Sequence, residues 1–164
     1  MDDVEQHVRE LAAGLTTRGV EVVGCDPALA DTAAFCAAYG YAMEDSANAI
    51  VVIGKSAPPV FACCLVLATT RLDVNKAVRH RLGTRKASFA SPEVTAELTG
   101  MAIGGVTPLA LPPDLPLWID AAVMERQRVV IGGGSRSCKV VGPPAMLLEI
   151  PGADVVAGLA VPTG

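Results

Sequence analysis

The chain has 164 residues and a net charge of −4, and 51% of its residues are apolar but only 4% are aromatic. This length suits one domain over residues 1–164 with a sizeable core, and this hydrophobicity excludes intrinsic disorder. The longest apolar run covers residues 60–68, short of the roughly 20 that a spanning helix needs, and the start at Asp2 and Asp3 is too acidic for a secretory signal, so we expect a cytoplasmic protein without a membrane partner.

Helical and strand signals alternate through the first two thirds of the chain. Asp2 and Asp3 can cap the first helix, and Asp31 or Thr32 the second. The expected elements are a helix over 4–15, a strand over 20–23, a helix over 32–40, strands over 49–53 and 60–70, a helix over 74–82 capped by Asp73, a strand over 86–90 and a helix from Ser91-Pro92 to Gly100.

The last third is rich in loops, with Pro112-Pro113 and several glycine pairs. Strands are expected over 117–120, 129–131 and 138–141, and Pro143-Pro144 can start a last helix through Leu147. Short connections between these strands favour antiparallel pairing. Interleaved helices and strands predict a mixed α/β or α+β fold in one domain.

Charge is distributed unevenly. Residues 71–86 hold six cations and one acid, a net charge of +5, so the remainder of the chain carries −9. Such a patch suits an anionic partner held at one place, although a solvated helix face is an equally good interpretation of the charge alone. The overall acidity argues against DNA as a partner.

Several classes of catalytic site are excluded by composition. His7 and His80 are the two histidines, and neither lies near an obvious nucleophile, which argues against Ser-His-Asp, Cys-His and zinc hydrolases. The five cysteines lack CxxC spacing and are expected to be reduced, buried residues. We therefore expect neither a metal nor another cofactor.

Three features remain that could carry chemistry. Lys55 follows the apolar strand over 49–53, where a lysine either reaches water or holds an anion. Gly104-Gly105 and the run 132–134 could let backbone approach a ligand closely, or could be tight hairpin turns.

Together these motifs resemble the YbaK/prolyl-tRNA editing-domain family over residues 28–158. The order of the motifs makes the resemblance specific, although each one is weak alone. The motifs are Ala37-Ala38-Tyr39-Gly40, Ile50-Val51-Val52-Ile53-Gly54-Lys55-Ser56, Lys86-Ala87-Ser88-Phe89-Ala90, Gly104-Gly105-Val106-Thr107-Pro108, Trp118-Ile119-Asp120 and Gly132-Gly133-Gly134-Ser135-Arg136.

The resemblance implies a largely antiparallel, barrel-like closed sheet surrounded by helices. It also implies hydrolysis of aminoacyl-tRNA that carries a wrong small amino acid, such as alanine, cysteine or serine, often on proline tRNA. Because the sequence shows no synthetase portion, we expect action in trans as a free-standing protein. The alternative is a module of the same fold that binds tRNA or a synthetase without hydrolysis.

By carry-over, Lys55 and the loop over 104–108 lie at the aminoacyl ester. The expected catalytic residues are Lys55, Gly104 and Gly105, with Lys55 holding the 3′ end and the glycine backbone orienting water and substrate amine. The expected substrate-binding residues are Asp31, Thr32, Ser56, Thr107, Pro108, Gly132, Gly133, Ser135 and Lys139.

Several of these assignments carry alternatives or departures. For Asp31 and Thr32, helix capping is an equally good role. Arg79, Arg81 and Lys86 are expected to hold tRNA phosphates. Some relatives have a serine where this chain has Gly132 and an acid where it has Lys139. The identity of the amino acid therefore stays open.

Overall fold

A computed structural model describes residues 3–163 and shows a mixed α/β fold, as the sequence predicts. Asp2, offered above as a helix cap, lies outside these residues. The four α-helices are α1 (Asp3–Ala13), α2 (Thr32–Tyr39), α3 (Arg79–Leu82) and α4 (Pro92–Thr99). The strands are β1 (Glu21–Gly24), β2 (Ala47–Gly54), β3 (Val60–Leu67), β4 (Thr70–Leu72), β5 (Ala87–Phe89), β6 (Leu117–Asp120), β7 (Val129–Gly132), β8 (Cys138–Gly142), β9 (Ala153–Val156) and β10 (Ala160–Pro162).

The strands form three sheets rather than one closed antiparallel barrel. Their orders are β5-β2-β3-β6-β9, β1-β8-β7 and β10-β4. The first two sheets meet where Ser46 forms a parallel bridge with Val130. The expected antiparallel pairing holds for β7 with β8, but β6 lies parallel to both β3 and β9. A long connection through α4 separates β3 from β6, which permits this parallel arrangement.

Most helix ends follow the sequence signals. Ser91 accepts a hydrogen bond from the Val94 amide, and Gly40 and Gly100 end their helices in the left-handed conformation. The helix expected over 74–82 begins instead as one π-helical turn, Val74–Val78, which leads into α3.

Near the C-terminus the correspondence is weaker. The last helix is a 3₁₀-helix, Pro144–Glu149, and β9 and β10 were not predicted because exposed residues interrupt their apolar pattern. The strand expected over 60–70 divides into β3 and β4 at a turn.

Small aliphatic residues dominate the interior. One core cluster lies between β2, β3, β6, β7 and β8, and includes Leu65, Ile119 and Ile131. A second lies under α3 around Trp118, and a third around Phe35 of α2. Within the described range, each helix is too short or too polar to cross a bilayer.

Candidate active site

A cleft of about 270 Å³ opens between α2, the first half of β2 and two glycine-containing loops. Its rim is exposed at Asp31 and Ile103, whereas Ala30, Ala47 and Val106 are buried at its floor. The full lining consists of Ala30, Asp31, Thr32, Ala47, Asn48, Ala49, Ile50, Ile103, Gly104, Val106, Gly132 and Lys139.

The two glycine loops predicted to share a site are in direct contact. The Gly134 amide donates to the Gly105 carbonyl at 2.7 Å. At Gly132 the chains approach so closely that a Cβ would lie 2.8 Å from the Val106 carbonyl carbon. Gly104 has a φ of +94°, which side-chain-bearing residues rarely adopt. Glycine at these positions therefore shapes the cleft wall.

A polar pair crosses the cleft between α2 and β2. The Thr32 hydroxyl donates to Asn48 Oδ1 at 3.1 Å. This bond orients the amide, and the Nδ2 hydrogens of Asn48 can donate to a ligand. Asp31 precedes α2 at its cap position but makes no side-chain capping bond, so the capping interpretation fails for its carboxylate.

Lys139 on β8 is the lysine in this cleft. Its side chain is buried, with 8% of the residue exposed, and its Nζ lies 3.4 Å from the Gly104 carbonyl oxygen. The same Nζ lies 5.8 Å from the centre of the Phe35 ring. Burial lowers the pKa of Lys139 below its ordinary value, and the neighbouring Arg136 lowers it further.

Arg136 links two loops at the rim of the cleft through hydrogen bonds. Its guanidinium donates to the Asp31 carboxylate at 3.2 Å and twice to the Pro27 carbonyl oxygen, at 3.1 and 3.2 Å. These bonds tie the loop before α2 to the loop after β7. The carboxylate of Asp31 therefore has a cationic partner of its own.

Lys55 and Ser56 lie away from this cleft, contrary to the predicted arrangement. The cleft uses residues 47–50 of β2, whereas Lys55 is exposed beyond the other end of the strand. At about 3.3 Å per residue, roughly 20 Å separate Lys55 from Asn48. The Lys55 amide donates to the Lys86 carbonyl, and Ser56 Oγ to the Pro58 carbonyl. The sequence identified the strand but not the end that β7 covers.

Four other predicted site residues lie in the two glycine-containing loops but outside the cleft lining. Thr107 is fully buried and accepts a bond from the Leu109 amide, while Pro108 begins a buried 3₁₀ turn. Gly133 packs against Cys138, and Ser135 Oγ donates to Glu5 Oε2 at 3.4 Å. Pro108 therefore does not line the cleft, contrary to the prediction.

The basic segment lies near Lys55. Arg81 is ion-paired to Asp154 and stacks over Trp118, and Arg79 donates to the carbonyls of Asn75 and Thr84. Lys55, Arg85 and Lys86 are exposed, and no carboxylate within the described chain lies within 4.0 Å of their charged groups. We refer to these three residues as the basic surface.

Asn48 and Arg136 were not among the predicted site residues. Asn48 interrupts an otherwise apolar strand, and that interruption was the available signal. Arg136 ended a glycine motif but gave no sign of its partners, because Asp31 lies 105 positions away.

Comparison with known proteins identifies a family and several similar structures. A family model described as the aminoacyl-tRNA editing domain matches residues 26–150. A crystal structure of a candidate trans-editing enzyme for prolyl-tRNA synthetase is similar with a TM-score of 0.81 and 26% identity, covering 100% of this chain and 99% of that one. The hypothetical protein APE2540 matches with a TM-score of 0.80 and 26% identity, covering 97% and 99%. A scaffold from an epitope-grafting design, 23% identical with full coverage of both chains and a TM-score of 0.81, shares the fold.

Proposed function

This chain belongs to the aminoacyl-tRNA editing domain family, and we propose that it acts in trans to hydrolyse the ester of tRNA charged with a wrong small amino acid. The family supplies the editing role, and a structural neighbour of equal length is described as a candidate trans-editing enzyme for prolyl-tRNA synthetase. Proline tRNA is therefore the first tRNA to test.

The size and lining of the cleft carry this proposal. Pockets for drug-sized ligands usually occupy about 300–1,000 Å³, and this one has about 270 Å³. Three alanines and two glycines are among the residues that line it, so small side chains form much of its wall. An aminoacyl group of a few heavy atoms fits such a space.

The reaction needs positioning more than a strong base. Water attacks the ester carbonyl carbon, the bond to the ribose oxygen breaks, and the water proton passes to that oxygen to leave free amino acid and tRNA. The adjacent ribose hydroxyl of the terminal adenosine can assist this proton transfer. The protein must hold the ester and stabilise the negative charge that develops on the carbonyl oxygen.

Asn48 is suited to that second task. Its Oδ1 accepts from Thr32, which fixes the amide plane and leaves Nδ2 to donate to the developing oxyanion. The Gly104 carbonyl can accept from the substrate ammonium, whereas the amide and carbonyl of Gly105 are bonded to Ala102 and Gly134 and do not line the cleft. In this assignment Thr32 positions Asn48 and does not touch the reacting atoms.

The remainder of the tRNA requires a surface outside the cleft. The basic surface offers three cations that carboxylates do not neutralise in the described chain. We assign to it the phosphate contacts that the sequence suggested for Arg79, Arg81 and Lys86. Arg81, held by Asp154 and Trp118, contributes less than Lys86.

A deacylation assay tests the proposal against the binding-module alternative. Proline tRNA charged separately with alanine, cysteine, serine and phenylalanine is incubated with the protein, and release of each amino acid is measured. We expect release of one or more of the small amino acids well above the rate without protein, and little release of phenylalanine. Tight tRNA binding without release of any amino acid would establish the non-catalytic alternative.

A further inference from the structure

Lys139 is a buried cation without a carboxylate partner. No carboxylate within residues 3–163 lies within 4.0 Å of its ammonium, which contacts the Gly104 carbonyl oxygen at 3.4 Å. Burying an ammonium is costly unless its three donors are satisfied, and one long hydrogen bond does not satisfy them. The Phe35 ring, 5.8 Å from Nζ, accepts no ordinary hydrogen bond, and Lys139 is among the residues that line the cleft, so a ligand bound there can satisfy the remaining donors.

The neighbouring groups do not supply the missing negative charge. The Asp31 carboxylate is engaged by Arg136 at the exposed rim. Cys25 and Cys36 are close enough to feel the charge of Lys139, but burial raises the pKa of both thiols, so they stay neutral. The Lys139 ammonium therefore has no anionic partner in direct contact among the described residues, and the Asp31 carboxylate acts on it from the rim.

The depth of Lys139 indicates which part of a substrate it meets. Rim residue Ile103 is 53% exposed, whereas Ala30, Ala47, Val106 and Lys139 are all buried. The tRNA end is too large for the cleft and must remain at the rim. The amino-acid side chain is the part that points to the floor, and its terminal atoms are the ones that reach Lys139.

We propose that Lys139 selects aminoacyl groups whose short side chain ends in a hydrogen-bond acceptor, namely a hydroxyl, a thiol or a carboxylate, over alanine. This inference rests on the proposed function, because it assumes that the cleft binds the aminoacyl group. A cation facing an acceptor forms a charge-assisted bond, whereas a methyl group leaves the ammonium unsatisfied. Sites built to bond a polar substrate atom reject the analogue that lacks it.

The test compares substrates that differ at one atom. Seryl- and alanyl-tRNA differ by one oxygen, and aspartyl-tRNA adds a full negative charge. For the wild type we expect kcat/KM for seryl-tRNA to exceed that for alanyl-tRNA by at least about tenfold. Lys139→Met keeps an unbranched side chain of similar length and removes the charge, and should abolish the preference by lowering the seryl rate.

Lys139→Gln is the second variant, in case the methionine disturbs the fold, and circular dichroism and thermal unfolding monitor both. Lys76→Met is the control for loss of an exposed lysine outside the cleft and the basic surface, and should retain the wild-type ratio. Equal loss for seryl- and alanyl-tRNA in folded Lys139 variants would overturn the proposal, as would a wild type that prefers alanine.

A binding measurement distinguishes failure of this inference from failure of the proposed hydrolase activity. Seryl and alanyl amides of 3′-amino-3′-deoxyadenosine mimic the ester but cannot be hydrolysed as esters. Isothermal titration should show tighter binding of the seryl amide to the wild type and no preference in Lys139→Met. If no tRNA is deacylated but this difference is present, the hydrolase proposal fails and the selection by Lys139 stands. Equal affinities in the wild type would overturn the selection alone.

Discussion

The two ends of β2 present cations in opposite ways. At residues 47–50 the strand is covered by β7 and the glycine loops, and its nearest cation, Lys139, is buried without a carboxylate partner in the described chain. Beyond Gly54 the chain is exposed, and Lys55 lies there near Lys86, with Arg85 next to it in the chain. A buried cation acts at short range on one ligand, whereas exposed cations act weakly and are screened by salt. The location of a lysine therefore determines its role more than its place in a motif.

Substitutions at the cleft end of β2 should reduce catalysis more than substitutions at its other end. Asn48→Ala removes the donor proposed for the oxyanion and should lower kcat by about 10²-fold, as is typical for such donors. Lys55→Ala, at the other end of the same strand, should leave kcat within about threefold, because its backbone is about 20 Å from Asn48 along the strand. Single-turnover deacylation at saturating protein measures both. A larger loss in Lys55→Ala than in Asn48→Ala would restore the site that the sequence suggested.

The cleft lies at the opposite end of β2 from Lys55, and this difference shows which features the sequence can predict and which it cannot. Periodicity and capping signals located α2, β2 and α4 well, because these depend on neighbouring residues. The editing family followed from the order of the glycine motifs. The glycine loops were predicted to share a site, but the end of β2 that joins them could not be obtained in this way, because it depends on the contact between Ser46 and Val130, which are far apart in the chain.

Alanine substitutions of Gly132, at the cleft, and of Gly54, at the other end of β2, should differ in their effects on stability and activity. In Gly132→Ala the added Cβ meets the Val106 backbone, which cannot rotate away, so we expect destabilisation of about 1–3 kcal/mol and a roughly tenfold loss of activity. In Gly54→Ala the added Cβ meets side-chain atoms of Thr84 and Val60 rather than backbone, so we expect a smaller loss of stability. Chemical denaturation together with deacylation should rank Gly132→Ala as worse in both. An active Gly132→Ala protein of normal stability would show that this close approach does not shape the cleft.

The pH dependence of stability should reveal the buried charge. Lys139 has a pKa below its ordinary 10.5 in the folded protein, so between these two values the unfolded chain binds more protons than the folded one. The free energy of unfolding contributed by this group therefore rises as pH rises through that window. Lys139→Met should lack this rise and should be more stable at pH 7 by about 1 kcal/mol. Lys55→Ala should retain the wild-type profile, and parallel profiles for all three proteins would mean that Lys139 is not desolvated.

The smallest effects are expected at the basic surface. Each phosphate contact made by Lys55, Arg85 or Lys86 would release bound counterions, so the tRNA affinity should fall steeply with salt. Removing one such cation should lower the magnitude of the slope of log affinity against log salt by just under 1. Lys86→Ala should also raise KM by about two- to threefold while kcat is retained, since a weak exposed contact contributes equally to ground-state and transition-state binding. Asn48→Ala should show the converse, an unchanged salt slope with reduced kcat. If Lys86→Ala and Lys55→Ala both retain the full wild-type slope, these cations form a solvated face, and the tRNA body must bind elsewhere on the molecule.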